Sequence, residues 1–242
     1  WQGDVAATLG LGGPAVQRVD ALGPVGPRDS LAVLGDCAAV YVSDGNEWRA
    51  VERTAAAGHF RLAVRFPDVD AVVISHCHTD HWTELPVLRN VYKYVQHRDH
   101  VPVHGTAETL AMAEAATHDG LAPTFDWHLI TDHGTADIGN LRLSFSRTDH
   151  PVETLAIRIE DPETGVALAY SADTGPAWSV SSFGADIDLF VCEATLTSDE
   201  EGLAPHLSAR QAGAMAAAAG VRRLVLTHHW PGGDVEAQRT AA

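Results

Sequence analysis

A dense cluster of potential metal ligands occupies residues 76–81, which read His-Cys-His-Thr-Asp-His and directly follow a short apolar run. Because side chains alternate along an extended backbone, His76 and His78 project to the same side and can bind one ion. Asp80 and His81 fall where the predicted strand turns into the next element, within reach of a second ion. Imidazole and carboxylate ligands together suit zinc, and also manganese or iron, better than calcium or magnesium. The spacing therefore predicts two divalent metal ions.

Three further residues of ligand type lie downstream, each just after a predicted strand: His150, Asp173 and His228. Any one of them alone would be an ordinary polar residue at a strand end, and a lone His-x-His would fit a surface turn without metal. Their shared position after a strand matches that of His76, and sites are commonly built from loops at strand ends on a rigid scaffold. Together they supply the further ligands that a site for two ions needs.

The elements that must position these residues become distinct from about residue 69, where strands and helices alternate. The hydrophobic pattern predicts strands at 71–75, 101–104, 127–131, 141–146, 154–160, 166–171, 188–192 and 223–227. It predicts helices at about 83–96, 106–118 and 208–219.

The helix at 208–219 is the best delimited of the three. Ser208 and Gln211 form a capping box at its start, and Gly220 provides the stop at its end. The three consecutive strands within residues 141–171 have the spacing of a meander, which indicates a mixed sheet system.

The N-terminal part of the chain has a different character. Residues 1–30 are rich in glycine, alanine and proline and show little periodicity, which predicts a loop or a loosely ordered extension. Residues 31–35 are apolar and predict a short strand, whereas residues 36–68 show no clear strand pattern. We therefore expect one domain at 31–242, preceded by the extension.

Composition and charge narrow the classes of partner. A chain of 242 residues with 45% hydrophobic content fits a domain with a sizeable core. The net charge of −16 argues against nucleic acid polymers as ligands, because no dense basic cluster offsets it. No apolar stretch is long enough to cross a bilayer, and no signal peptide is visible. Three cysteines do not form a disulfide framework. We therefore expect a cytoplasmic protein in which Cys77 and Cys192 are small buried apolar side chains.

The order of the candidate ligands resembles that of the metallo-β-lactamase superfamily: His-x-His-x-Asp-His, then His150, Asp173 and His228. Residues 192–195, Cys-Glu-Ala-Thr, resemble the His-Glu-Ala-Thr motif of its ribonuclease Z and phosphodiesterase branch, and residues 206–208, His-Leu-Ser, resemble its His-Ser-Thr motif. The likeness is greatest to the actinobacterial atypical cyclic-nucleotide phosphodiesterases. It implies an α/β fold, the αββα metallo-β-lactamase sandwich of two mixed β-sheets flanked by helices.

The resemblance also implies a role for each candidate ligand. The first metal would be held by His76, His78 and His150, the second by Asp80, His81 and His228, and Asp173 would bridge both. Physical reasoning agrees with such a bridge, because a carboxylate between two cations offsets their repulsion, and paired ions can clamp the attacking and leaving oxygens of a displacement. A hydroxide held between the ions would be the nucleophile, and Asp80 would both ligate and orient it.

His206 is the candidate general acid, and Glu193 is the candidate partner that orients its ring. His206 lies just before Ser208, at the N-terminus of a predicted helix. A helix dipole disfavours an imidazolium there, whereas a carboxylate favours it, so the sequence leaves the direction of the pKa shift open. The alternative for His206 is a surface histidine beside a helix cap.

These features favour a metal-dependent hydrolase of the phosphoric diester class. Its substrate would be a small anionic phosphodiester, above all a cyclic nucleotide, and its cofactors two divalent ions, zinc first and manganese or iron next. Three alternatives stay open: ribonuclease Z-like RNA processing, a carboxylic ester or lactone hydrolase on the same fold, and a metal-binding protein without useful turnover. RNA processing needs a basic arm, which the sequence does not supply. No membrane partner is expected, and the resemblance allows a homodimer.

Overall fold

The structure, a computed structural model, describes residues 69–230 and 233–242, and before them the backbone of five short strands. These strands are β1 (Gln17–Arg18), β2 (Ser30–Leu34), β3 (Ala39–Ser43), β4 (Trp48–Ala50) and β5 (Phe60–Arg61). β1 pairs in parallel with β5, and β2, β3 and β4 form an antiparallel sheet. β2 confirms the strand predicted at 31–35. Residues 36–68, which show no clear strand pattern in the sequence, hold β3, β4 and β5. The extension predicted at 1–30 falls outside the described residues apart from β1 and Ser30.

A small parallel sheet carries the first ligand cluster. It consists of β6 (Val72–Val73), β7 (Val101–Gly105) and β8 (Phe125–Leu129), all pairing in parallel. Parallel neighbours need a crossover, and here the crossovers are α1 (Leu85–Val91) and α2 (Ala107–Ala116). Both helices were predicted, but the first is α-helical only to Val91, since residues 92–96 wind into a single π-helical turn.

A six-stranded mixed sheet carries the downstream candidates. Its strands are β9 (Thr135–Ile138), β10 (Leu141–Arg147), β11 (Leu155–Glu160), β12 (Ala167–Tyr170), β13 (Leu189–Glu193) and β14 (Leu224–Thr227). They lie in the order β14-β13-β12-β11-β10-β9, antiparallel from β9 to β12 and parallel from β12 to β14. The structure thus confirms the predicted mixed sheet and adds β9, which was not predicted.

The crossover between β13 and β14 is α3 (Ala209–Ala218), and α4 (Val235–Ala241) follows β14. Ser208 caps α3 by accepting a hydrogen bond from the backbone N–H of Gln211, whose own side chain bonds back to Ser208. Gly220, with φ of +66°, follows the last turn. The capping box and the glycine stop predicted for this helix are therefore confirmed.

Three apolar clusters hold the layers together. One lies between the two sheets and joins Val73 of β6 to Leu168 and Leu189 of the large sheet. A second lies between the large sheet and α3, and a third lies between the small sheet and its helices. The layer order is therefore helix, sheet, sheet, helix, which is the αββα sandwich expected from the sequence. Cys77 and Cys192 are buried, as predicted, and neither forms a disulfide with another of the described residues.

None of the helices in the part of the chain that the structure describes has the length and apolarity required for a membrane span.

The inter-sheet cluster can be tested at Leu168, which is fully buried on β12 between Ile159 and Leu189. We expect Leu168→Ala to lower the free energy of unfolding by about 2–5 kcal/mol, because it removes buried methyl groups and leaves a cavity. Leu129 on β8 is 60% exposed. As the matched control, Leu129→Ala is expected to change the free energy of unfolding by less than about 0.5 kcal/mol. Urea unfolding of both variants measures the difference, and equal destabilisation would contradict the assigned core.

Candidate metal centre

The candidate residues of the large sheet meet because their strands point the same way. β10 and β12 are both antiparallel to β11, and β12, β13 and β14 are mutually parallel. The C-terminal ends of these four strands therefore lie at one edge of the sheet. His150, Asp173 and His228 follow β10, β12 and β14 at that edge, and Glu193 is the last residue of β13.

Residues 76–81 enter the same region from the small sheet. The backbone N–H of Ile74 donates to the carbonyl of His104 at 2.8 Å, which prolongs the pairing beyond β6, and residues 79–81 then form a single 3₁₀ turn. The indole N–H of Trp82 donates to the carbonyl of Cys77 at 2.7 Å and ties the turn to the core.

The first donor group consists of His76, His78, His150 and Asp173, each of which offers an atom within 4.8 Å of the others. His150 Nε2 lies 3.1 Å from His78 Nδ1. Oδ2 of Asp173 lies 3.6 Å from His76 Nε2 and 3.8 Å from His150 Nε2. His76 and His150 therefore face the same oxygen of the carboxylate, and His78 lies against His150.

The second donor group consists of Asp80, His81 and His228. Oδ2 of Asp80 lies 3.5 Å from His81 Nε2 and 3.6 Å from His228 Nε2. The other oxygen of Asp173, Oδ1, lies 3.4 Å from His81 Nε2 and 3.5 Å from His228 Nε2. Asp173 thus presents one oxygen to each donor group.

The donor set fits divalent metal ions. Among the described residues, the buried atoms His76 Nε2 and Asp173 Oδ1 make no hydrogen bond. Buried polar atoms are normally paired, so convergent nitrogen and oxygen atoms without hydrogen bonds indicate a cation between them. Five imidazoles and two carboxylates are ligands typical of zinc, manganese or iron. The chemistry of the donors does not distinguish among these metals.

The protonation of the donors suits cation binding. Burial lowers the pKa of His76 to about 4, and burial also lowers the pKa of His150. Both imidazoles are therefore neutral at pH 7, with a lone pair available to a metal. Burial alone would raise the pKa of Asp173, but the adjacent imidazoles of His76 and His81 hold that pKa well below its usual range. Asp173 is thus a carboxylate.

Three residues outside the predicted donor set orient histidines of the two donor groups. Ser75 Oγ lies 3.0 Å from His76 Nδ1, and His150 Nδ1 donates to the carbonyl of Pro205 at 3.3 Å. Thr195 Oγ1 lies 2.7 Å from His228 Nδ1. Such contacts behind metal ligands fix ring orientation. In the sequence, these contacts are indicated only by the position of Ser75 next to His76 and of Thr195 two residues after Glu193.

His206 lies at the same site and is held by Glu193. His206 Nδ1 is 2.9 Å from Glu193 Oε1, and the buried Glu193 also accepts hydrogen bonds from the backbone N–H groups of Thr174 and Leu207. Burial would lower the pKa of His206, but the hydrogen bond and charge of Glu193 outweigh it and raise that pKa. His206 is within 4.8 Å, atom to atom, of Asp173 and His228. A protonated imidazole can thus stand beside the metal donors.

Two residues at the site adopt left-handed backbone conformations. Ala172, immediately before Asp173, has φ of +51°, and His228 has φ of +59°. Neither residue is glycine, so each conformation costs free energy of order 1–2 kcal/mol that the surrounding structure must offset. Strain of this kind is common where a side chain is aimed at a functional site.

Comparison with known proteins agrees with the geometry. Residues 29–229 match the model of the beta-lactamase superfamily domain. An uncharacterized protein of Mycobacterium tuberculosis is 36% identical over 166 residues, covering 65% of this chain and 60% of the relative. The probable metallo-hydrolase YhfI of Bacillus subtilis is 31% identical over 169 residues, 66% of each chain. Ribonuclease Z of Salinispora arenicola is 26% identical over 217 residues, 69% of this chain and 70% of that one.

The fold comparison agrees with the sequence comparison. The crystal structure of YhfI superposes with a TM-score of 0.68 at 23% sequence identity, covering 88% of this chain and 90% of that one. The chain spans about 60% of the length of the mycobacterial relative.

The shared position of Asp173 predicts that its loss affects both donor groups. We expect Asp173→Ala to lower the zinc content from about two ions per chain to less than one after dialysis against dilute chelator, because each group loses an oxygen ligand. Asp119→Ala is the matched control, since Asp119 is exposed and bound to Lys93 away from the site. Elemental analysis of the dialysed proteins measures the difference. Unchanged zinc content in Asp173→Ala would contradict the assignment.

Proposed function

The chain belongs to the beta-lactamase superfamily, and we propose that it is a hydrolase that uses two metal ions to cleave a small phosphodiester of the cyclic-nucleotide class. The observation that carries the proposal is the pair of donor groups on either side of Asp173, with His206 beside them. A phosphodiester requires charge neutralisation at its oxygens and a proton for its leaving group, and this arrangement offers both.

The donor distances support one ligand set for each ion. We assign His76, His78 and His150 to the first ion, Asp80, His81 and His228 to the second, and Asp173 to both. When bound, two such ions lower the pKa of a water molecule and stabilise the charge that develops on the phosphoryl oxygens.

The two carboxylates of the site have different surroundings and therefore different roles. The side chain of Asp173 is 3% exposed, whereas that of Asp80 is 65% exposed. Asp173 is fixed in the floor of the site, and its charge holds the two donor groups together. Asp80 stands at the open side, where its carboxylate can accept a hydrogen bond from the attacking water and orient it.

His206 is the proton donor in this proposal. Its Nδ1 is held by Glu193 at 2.9 Å, so the proton would leave from Nε2. The raised pKa keeps the ring protonated in a larger fraction of the protein near neutral pH. As the water oxygen bonds to phosphorus and the bond from phosphorus to the leaving ester oxygen breaks, the proton passes from Nε2 to that ester oxygen. In a cyclic nucleotide this oxygen stays on the product, as an uncharged ribose hydroxyl.

A second candidate function is RNA processing of the ribonuclease Z kind, favoured by the similarity to ribonuclease Z of Salinispora arenicola. The charge of the chain opposes it, since 16 basic residues stand against 32 acidic residues. The phosphates of an RNA chain would each be repelled by the acidic protein, whereas a small diester brings its phosphate only to the site.

Hydrolysis of cyclic AMP tests the proposed function. We expect protein reconstituted with zinc or manganese to release AMP, and Asp173→Ala treated in the same way to release none above background. A precursor transfer RNA is offered in parallel as the rival substrate. Cleavage of the RNA alone would establish the second candidate, and absence of both activities in protein that holds two ions would contradict the phosphodiesterase proposal.

The role of His206 gives a separate prediction. We expect His206→Ala to retain both ions and to lose about 10²–10⁴-fold in kcat on a phosphodiester with a poor leaving group, because the proton donor is absent. A diester with a p-nitrophenolate leaving group, which departs without a proton, is the matched substrate and should lose far less. Equal losses on the two substrates would show that His206 does not donate the proton.

A further inference from the structure

Thr195 occupies a junction between Glu193 and the ligand His228. Its hydroxyl oxygen lies 2.8 Å from Glu193 Oε2, 2.7 Å from His228 Nδ1 and 3.1 Å from the carbonyl oxygen of His228. Thr195 itself is buried, so water does not compete for these contacts. All three distances are within hydrogen-bonding range.

The number of protons decides how this junction is connected. A threonine hydroxyl has one proton to donate and two lone pairs that accept. The carboxylate and the carbonyl are acceptors only, and a bond to a carboxylate is the stronger of the two. The proton of Thr195 therefore goes to Glu193, with the carbonyl of His228 as the secondary acceptor. The remaining short contact, at 2.7 Å, then requires His228 Nδ1 to be the donor.

We infer that Thr195 is a positioning residue that fixes the tautomer of His228. With the proton on Nδ1, the lone pair of His228 is on Nε2, the nitrogen that lies 3.6 Å from Asp80 Oδ2 and 3.5 Å from Asp173 Oδ1. The opposite tautomer would direct an N–H into the second donor group and exclude a cation there. The hydroxyl thus keeps the lone pair of His228 Nε2 available to a cation even in the metal-free protein.

The Thr195 hydroxyl and the Glu193 carboxylate together connect the second donor group to the proposed proton donor, His206. Glu193 accepts a hydrogen bond from the Thr195 hydroxyl on Oε2 and one from His206 Nδ1 on Oε1. One buried carboxylate therefore orients both the ligand His228 and the acid His206. In the first donor group, His150 is oriented by the backbone carbonyl of Pro205 and His76 by the Ser75 hydroxyl, so the connection through Glu193 belongs to the second donor group.

This inference rests on the proposed function, because it concerns the same site, but its test needs no substrate. Metal-free protein labelled with ¹⁵N histidine is examined by long-range ¹H–¹⁵N spectroscopy, with His228 assigned by the signal lost in His228→Gln. We expect His228 in the wild type to be the Nδ1–H tautomer. An Nε2–H tautomer in the wild type would overturn the inference, whatever the protein hydrolyses.

Three variants extend the test to metal affinity. Thr195→Ser keeps the hydroxyl, Thr195→Val keeps the shape without it, and Thr197→Val removes a nearby exposed hydroxyl that bonds to Glu200. In a zinc titration against a competing chelator, we expect Thr195→Val to weaken one of the two ions by about 10–100-fold. We expect Thr195→Ser and Thr197→Val to bind like the wild type. Wild-type binding by Thr195→Val, or equal weakening in Thr195→Ser, would contradict the inference.

Discussion

The site depends on one buried carboxylate placed between two sets of imidazoles. Two cations a few ångströms apart repel each other strongly in a medium of low dielectric constant, and a shared anion is the simplest compensation. We propose that Asp173 is that anion, because its Oδ2 faces His76 and its Oδ1 faces His81. Its position is fixed by the end of β12, the left-handed conformation of Ala172 and the hydrogen bond from the Thr148 hydroxyl to its carbonyl at 2.8 Å. The sandwich brings the strand ends together around this one side chain.

A second buried carboxylate organises the other side of the site. Glu193 accepts hydrogen bonds from the backbone at Thr174, from Thr195 and from His206. Burial of a carboxylate costs free energy unless hydrogen bonds satisfy its oxygens, and here both oxygens are satisfied. A buried network with all its hydrogen bonds satisfied is rigid, so the rings of His206 and His228 keep a fixed relation. The α/β fold thus supplies two buried carboxylates with different surroundings: Asp173 lies between the two donor groups, and Glu193 holds the side chains of Thr195 and His206 beside them.

The sequence predicted the parts of the structure that depend on local chemistry. The ligand cluster, the strand-then-ligand positions and the cap of α3 could all be read from short stretches of residues. The half-exposed strand β9 was not predicted, because Thr-Ala-Asp-Ile has little hydrophobic contrast. The roles of Thr195 and Pro205 could not be read either, because their contacts with His228 and His150 exist only after β13 and β14 pair and the loop before α3 returns to the site. Long-range contacts of this kind leave no periodic signal in the chain.

Anomalous X-ray diffraction from crystals grown with zinc shows whether Asp173 lies between two ions, because it locates the ions without any substrate. We expect two peaks of comparable height about 3.5–4 Å apart, one on each side of the Asp173 carboxylate, since paired catalytic ions bridged by a shared ligand have that separation. A single peak, or two peaks that do not share Asp173, would contradict this expectation.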